Sequence, residues 1–255
     1  MNDYSMELAR WRMLYDHHTH TTYSHGKGSI EDNVKVAVEK GLSSIAITDH
    51  GPGHLTYGIK RELMPQMRAE VESLRQKYPQ IEILLGVEAN TLRIEPYLDV
   101  APEERGDYDI LLAGYHYGIL HAGMVPNYIY RHSGLFHADD SSLKVKNTAM
   151  ILDCLYYNEE HGNHIDVLTH PGDKGPFDIE DIAKACADTG TLVEINDKHA
   201  HLTVDEIKIA ARYDVKFIIG SDAHVPEKVG SFEGPLSRAL EAGLDPERIV
   251  NIGLK

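Results

Sequence analysis

The sequence predicts a single α/β domain built on a parallel sheet, and three observations carry that expectation. Short runs rich in β-branched residues recur along the chain, segments of helical period separate them, and no linker rich in Pro, Gly or Ser, no internal repeat and no low-complexity tract interrupts the alternation. Alternating strands and helices are the pattern of βαβ units. Their parallel strands are buried on both faces and read as continuous apolar runs. Ile45-Ala46-Ile47, Leu111-Leu112-Ala113 and Phe217-Ile218-Ile219 are such runs. Strands of this kind either close into a barrel or lie as an open sheet, and periodicity does not choose between the two.

In chain order, strands are expected over 13–18, 44–48, 81–87, 109–114, 165–168, 191–195 and 216–220. The helix after the first strand should begin at Ser29, with Asp32 three residues on to complete a capping sequence. It should end at Lys40, where Gly41 supplies a left-handed residue. A later helix is expected from near Asp178 to the residue before Gly190, and Thr203-Val204-Asp205-Glu206 should open another. After the fourth strand the rhythm breaks. Residues 117–146 form a connection far longer than the ~2–6 residues of an ordinary βα loop. It is rich in Tyr, His and Gly, includes Arg131, and is expected to be a long loop on the active face serving as a lid or substrate loop.

Composition removes several classes of function. At 42% hydrophobic and 25% charged residues over 255 positions, the chain has an ordinary globular balance. A net charge of −15 argues against extended contact with nucleic acid or an anionic membrane, both of which need a basic face. No apolar run approaches the ~18 residues of a membrane span. Residues 1–11 show no secretory signal, so a cytoplasmic location is expected. Cys154 and Cys186 stand alone, without Cys-x-x-Cys spacing, and read as buried free thiols. The unusual feature is a total of 16 histidines.

Their positions relative to the strands are informative. His18 and His20 follow the first strand at i, i+2 spacing, which projects both imidazoles to one face. His25 lies in the loop after it. His50 closes the second strand, Glu88 the third, His116 the fourth and His170 the fifth, while Asp222 and His224, again i and i+2, close the seventh. All of these are carboxyl ends, the edge on which parallel α/β proteins build their active sites. Any one of these imidazoles taken alone reads more readily as a core or surface residue, but that reading does not explain a shared strand end. Imidazole nitrogen and carboxylate oxygen without thiolate suit Zn²⁺, Fe²⁺ or Mn²⁺. Nine candidate ligands exceed what one tetrahedral ion uses, so two to three divalent ions are expected. Asp16 and Asp49 are expected either to orient a ligand or to cap backbone. His199-Ala200-His201 repeats the spacing and is read as a substrate contact or surface pair; His54, His121, His132 and His137 lie in loops on the same rim, and His161 and His164 as a solvated pair.

The ordered motifs Asp16-His17-His18-Thr19-His20, Ile47-Thr48-Asp49-His50-Gly51, Gly86-Val87-Glu88, Ala113-Gly114-Tyr115-His116, Thr169-His170-Pro171-Gly172 and Gly220-Ser221-Asp222-Ala223-His224 resemble those of the polymerase and histidinol phosphatase (PHP) family. The likeness extends over about 15–225, and within the family it is strongest to small stand-alone bacterial phosphoesterases. It implies a distorted (β/α)₇ TIM-like barrel, and so decides the barrel over the open sheet. The domain would cover 1–255, with a barrel core over about 13–242. It further implies a trinuclear site: His18, His20, Glu88 and Asp222 on one metal, Glu88 bridging to a second completed by His116 and His170, and His25, His50 and His224 on a third. Zinc is the first choice, with Mn or Fe as alternatives. Glu88 and Asp222 would be the catalytic carboxylates that hold the metal-bound hydroxide.

A metal cluster of this kind acidifies bound water and neutralises phosphoryl oxygens. The expected activity is therefore hydrolysis of a small phosphomonoester by metal-bound hydroxide. Neither Gly-x-Ser-x-Gly nor a P-loop motif is present. Lys27, Arg131 and Lys198 are candidates for binding the phosphate. Three alternatives stand beside this reading. A histidinol-phosphate phosphatase is disfavoured because Thr21-Thr22-Tyr23-Ser24-His25 departs from the Cys- or Pro-rich loop of those enzymes. The Glu88 bridge counts against a metal amidohydrolase acting on a carbonyl substrate. The full ligand set counts against a non-enzymatic metal-binding or polymerase proofreading module.

Overall fold

A computed structural model describes residues 4–132 and 141–255, with the side chains of Tyr130 and Arg131 outside that description. The strands are β1 (Trp11–Met13), β2 (Tyr15–Asp16), β3 (Ser44–Ile47), β4 (Glu82–Asn90), β5 (Ile110–Gly114), β6 (Val167–Leu168), β7 (Leu192–Asn196), β8 (Phe217–Gly220) and β9 (Ile252–Leu254). Strands β2 to β8 form a seven-stranded parallel sheet in sequential order. A parallel bridge between Thr19 and Ala223, with His20 N–H donating to Ala223 O at 2.9 Å, joins the two outermost strands just beyond their carboxyl ends. The sheet is thereby a nearly closed, distorted barrel, as the sequence resemblance implied.

Helices surround it: α1 (Ser5–Leu8), α2 (Ile30–Glu39), α3 (Met64–Lys77), α4 (Met124–His132), α5 (Ser141–Glu160), α6 (Ile179–Thr189), α7 (Val204–Ala210) and α8 (Glu233–Glu241). Their ends follow the expected chemistry. Ser29 and Asp32 close a reciprocal capping box on α2, Thr203 and Glu206 do the same on α7, and the Asp178 carboxylate accepts from the first turn of α6. Gly190, at φ +75°, ends α6 in the left-handed region. Cys154 and Cys186 are buried free thiols on α5 and α6.

The barrel is filled by a small apolar cluster of Ala46, Ile110, Leu112, Val167 and Ile218, packed by Tyr15, Leu84, Leu192 and Val250. A second, larger core lies between barrel and helices. The period of two along each strand makes the inner cluster a ruler. Counting upward from Ala46 gives Thr48 and His50; from Leu84, Gly86, Glu88 and Asn90; from Leu112, Gly114 and His116; from Ile218, Gly220 and Asp222. Apolar side chains plug the lower barrel, glycines form a layer above them, and polar side chains occupy the top.

Three features differ from the sequence expectations. The first expected strand, 13–18, is two strands: β2 joins the barrel, while β1 pairs antiparallel with β9 as a separate ribbon. Strand β9 was not expected, because Ile252-Gly253-Leu254 is three residues with a glycine at the centre and, among the described residues, gains its pairing from β1 alone. The 117–146 connection contains α4 and the first turns of α5, so its described part is largely helical; residues 133–140 lie outside the described residues.

Candidate metal centre

All nine expected ligands meet at the carboxyl end of the barrel. His18, His116 and Asp222 each lie two residues past the end of their strand, and Glu88 sits inside the longer β4. His18, His20, His50, Glu88, His116, His170 and Asp222 are buried. The Nε2 atoms of His18 and His20 face each other at 3.2 Å, and Asp222 Oδ1 is 3.2 Å from the latter. Glu88 stands at the centre: Oε1 is 2.8 Å from His170 Nε2 and 3.3 Å from both His18 Nε2 and His116 Nε2, while Oε2 is 3.0 Å from His50 Nδ1. Ligand atoms within 4.8 Å of one another form four overlapping groups: His18/His20/Asp222, His18/Glu88/His170, His50/Glu88/His116 and His20/His50/His224.

This grouping resembles the expected partition without reproducing it. His20 also stands with His50 and His224, and His50 also reaches Glu88 and His116. His25 belongs to none of the four groups, although its ring lies 4.9 Å from that of His50 and 4.1 Å from that of His224.

The electrostatics suit cation binding. Burial pushes His50 down to about 3 and His25 to about 4, and burial together with the neighbouring His50 holds His20 well below the usual imidazole range. These rings are neutral and offer lone pairs. Burial alone would raise Glu88 and Asp222, but the surrounding imidazoles hold both carboxyls well below the ordinary range, so both are anionic. His18 moves the other way. Burial opposes its charge, yet Glu194, Glu88 and Asp222 raise it well above the usual value. The buried atoms His20 Nδ1, His25 Nδ1, His50 Nδ1, His116 Nε2, Glu88 Oε2 and Asp222 Oδ1 make no hydrogen bond. Buried polar atoms are almost always paired. So many unpaired atoms of metal-ligand type, gathered in one buried cluster, fit divalent cations.

Neighbouring groups hold the ligands in place. Asp16 accepts from His18 N, Ser221 Oγ and N, and Gly230 N, so it caps backbone and ties the ends of β2 and β8 together. Asp49 accepts from Thr21 N at 2.7 Å and Oγ1 at 2.6 Å and from Ser24 Oγ at 2.5 Å, shaping the loop from His20 to His25. Three further residues escaped the sequence reading. Asn90 Oδ1 is 2.8 Å from His116 Nδ1, Thr169 Oγ1 donates to Glu88 Oε1 at 2.7 Å, and Glu194 Oε1 is 2.6 Å from His18 Nδ1. A signal for two of them existed: Asn90 and Glu194 are polar residues at inward positions of apolar strands, in step with the ligands.

Above the cluster opens a cavity of about 400 Å³ bounded by site imidazoles, Asp222, His54, Thr56, Tyr57, Tyr117, Gly118, Lys174, Lys198 and His199. Lys198 Nζ lies 2.9 Å from His224 Nδ1 and 3.6 Å from Asp222 Oδ1. Lys174, not singled out in the sequence, is the second cation of the lining. Lys27 does not reach this cavity; it is exposed in a separate groove with Asp32, Lys35, Glu39 and Glu227. Arg131 lies in α4, and its side chain is outside the described residues, as is His137. His199 bridges Asp173 Oδ2 at 3.1 Å and Asp222 Oδ2 at 3.2 Å, whereas His201 turns away to Glu206. His54 lines the cavity; His121 and His132 are exposed, as is the His164 contact with Glu159. No helix among the described residues is long and apolar enough to cross a membrane.

Comparisons with known proteins agree with this geometry. A protein of Thermoanaerobacter sp. (strain X514) named "probable phosphatase" is 30% identical to this chain, covering 94% of it and 91% of the relative. A "probable phosphatase" of Shewanella halifaxensis (strain HAW-EB4) is 27% identical, with 94% and 89% covered. Among solved structures, histidinol phosphate phosphatase from Lactococcus lactis subsp. lactis Il1403, complexed with zinc, L-histidinol and phosphate, shares the fold at a TM-score of 0.60 and 19% identity, covering 91% of this chain and 95% of its own. The family model of the PHP domain matches residues 16–236. With the barrel, the ordered motifs and this match in agreement, the chain belongs to the PHP domain family.

Proposed function

We infer that this protein is a metal-dependent phosphatase that hydrolyses a small phosphomonoester. The observation that carries the inference is the convergence of imidazoles, four of them with a buried unpaired nitrogen, and two anionic carboxylates at the floor of a cavity of about 400 Å³ on the carboxyl face of the barrel. His18, His20, Glu88 and Asp222 would hold one divalent ion, with Glu88 shared by a second at His116 and His170, and His25, His50 and His224 holding a third. Zinc best suits a nitrogen-rich donor set of this kind, and Mn²⁺ and Fe²⁺ are accepted by the same donor types. Ions held there supply Lewis-acid polarisation of the phosphoryl oxygens and acidification of water.

The chain's own residues supply the rest. Glu88 and Asp222 keep the cluster anionic at its centre, which offsets the positive charge gathered there. Lys198 and Lys174 present cations to the cavity and would orient the phosphoryl group. His54 and Tyr57 form an aromatic wall of the cavity that would face the leaving group. Thr169 restrains Glu88 Oε1, and Asn90 restrains His116, so neither ligand is free to rotate out of the site. The overall −15 charge repels long polyanions, while the cavity attracts a small one.

The test is metal analysis of the purified chain, followed by assay with an aryl phosphate and an aryl ester. Phosphate turnover that rises with metal content supports the proposal; ester turnover without phosphate turnover refutes it. In His170→Ala, metal content and activity should fall together, and full occupancy in that variant would remove His170 from the ligand set. Histidinol phosphate belongs in the substrate screen that follows, because the similar Lactococcus lactis enzyme carries L-histidinol and phosphate with zinc.

A further inference from the structure

We propose that Glu194 is a positioning residue of the metal centre, a second carboxylate beneath the ligands that fixes which nitrogen of His18 faces the ions and where His170 stands. The proposal rests on the metal-dependent reading above and goes beyond its nine ligands.

Glu194 lies on β7, fully buried, at the same inward period as Asn196. Both of its oxygens are engaged. Oε1 is 2.6 Å from His18 Nδ1, while Oε2 accepts from the His170 backbone N–H at 2.8 Å and from Asn196 Nδ2 at 2.9 Å. Asn196 Nδ2 also reaches Asp222 Oδ2 at 3.3 Å. One side chain therefore touches His18 and His170 directly and Asp222 through a single amide.

Three consequences follow from the chemistry of these groups. An ionised carboxylate only accepts hydrogen bonds, so His18 must carry its hydrogen on Nδ1, and Nε2 is the nitrogen turned toward Glu88, His20 and Asp222. Carboxylate–imidazole pairs of this kind orient a ligand ring and raise its basicity, and losing the outer partner typically costs ~10–100-fold in metal affinity. The second consequence concerns His170, whose φ of +29° lies in the region that non-glycine residues avoid; the Oε2 bond to its N–H helps hold that conformation. The third concerns Gly220 on the adjacent strand. A Cβ there would fall 1.8 Å from Glu194 Oε1, so the space for the carboxylate exists only because residue 220 has no side chain.

Glu194→Gln tests this with little change in shape. A carboxamide cannot serve both sides. With its oxygen toward His18, the NH₂ opposes the His170 N–H and Asn196 Nδ2; flipped, the NH₂ opposes His18 Nδ1 and drives the ring to the tautomer that covers Nε2 with hydrogen. The measurements are Zn²⁺ affinity by competition with a chromogenic chelator, the visible spectrum of the Co²⁺-loaded protein, and thermal melting without metal. The expected result is an affinity lower by ~10–100-fold and an altered Co²⁺ spectrum, with metal-free secondary structure retained. Wild-type affinity and spectrum in Glu194→Gln would overturn the proposal. Absence of metal from the wild-type chain would instead overturn the underlying reading, so the two failures are distinguishable. Should the variant fail to fold, ¹⁵N NMR of the histidine rings in the zinc-loaded wild-type protein decides the matter: His18 protonated at Nδ1 and metal-bound through Nε2 supports the role of Glu194, and ligation through Nδ1 refutes it.

Discussion

Gly114→Ala is a one-methyl perturbation aimed at the layer of glycines under the metal centre. Gly114 ends β5 directly below His116, and an added Cβ would lie 2.4 Å from Thr169 Oγ1, 2.8 Å from His116 Cε1 and 3.0 Å from Glu88 Oε1. Ordinary contact begins near 3.4 Å, so Thr169 Oγ1 must retreat by about 1 Å and the other two atoms by about half that. None of the three has room to do so freely. Thr169 Oγ1 is held by Glu88 Oε1 and Ala113 O, His116 by Asn90, and Glu88 by the surrounding imidazoles. Overpacking in a close-packed interior costs ~1–3 kcal/mol. For a chain of this length, each kcal/mol lowers the melting temperature by about 2–4 °C. Displacing two ligands and the hydroxyl that restrains one of them should also weaken metal binding, by ~10–100-fold if the effect matches that of losing an outer partner. The assay is thermal melting of the metal-free protein together with chelator-competition titration. Gly106→Ala is the control, because nothing lies within 4 Å of its added Cβ, and both quantities should stay near wild type. Wild-type metal affinity in Gly114→Ala would refute the argument that the glycine layer sets the height and orientation of the ligands.

Removing the α2 cap by Ser29→Ala takes away the hydroxyl that accepts from Asp32 N–H, while the backbone N–H of residue 29 can still donate to the Asp32 carboxylate, and should cost ~0.5–2 kcal/mol in urea unfolding without changing metal stoichiometry; a loss of metal would show that the α2 end is coupled to the site. Asp109 is partly buried, which alone would raise its carboxyl, but Arg68, the Leu85 N–H and Arg75 hold it below its ordinary value. Its contribution to stability is therefore fully present above the unfolded-state value near ~4 and is lost as pH falls through the lower folded-state value. The gap in urea midpoint between wild type and Asp109→Asn should persist from neutral pH to about pH 4 and close below it; a gap that widens on acidification contradicts the assignment. Saturation with Zn²⁺ at ~100 times its dissociation constant should stabilise the chain by ~2.7 kcal/mol, read as a rise in melting temperature that a chelator reverses. An unchanged melting temperature would mean that the ligand cluster is not a metal site in the folded protein.

The positions of His18, His50, His116, His170 and Asp222 just beyond strand ends, and of Glu88 near the carboxyl end of β4, were legible because strands betray themselves by apolar runs, and the residue after each run is then fixed in space by the chain. Helix caps at Ser29, Asp178 and Thr203 were legible for a similar reason: their chemistry is completed within four residues. Lys27 shows where such reasoning stops. It follows His25, a ligand in our proposal, closely in sequence, yet the loop carries it to the outer groove, while Lys174 and Lys198 arrive at the cavity from other elements. Strand β9 was hidden because its partner, β1, lies at the opposite end of the chain.

By itself the sequence determined the class of fold, the strand ends and the donor types, since each depends on local periodicity or on residue identity. The tertiary structure decided which donors face one another. Only closure of β2 onto β8 brings His18 against Asp222, only β7 lying between β6 and β8 places Glu194 behind His18 and His170, and only the glycines of neighbouring strands leave room for both. These are contacts between residues as many as two hundred positions apart, and distance through space, which sets hydrogen bonding and electrostatics, is fixed only when the barrel closes.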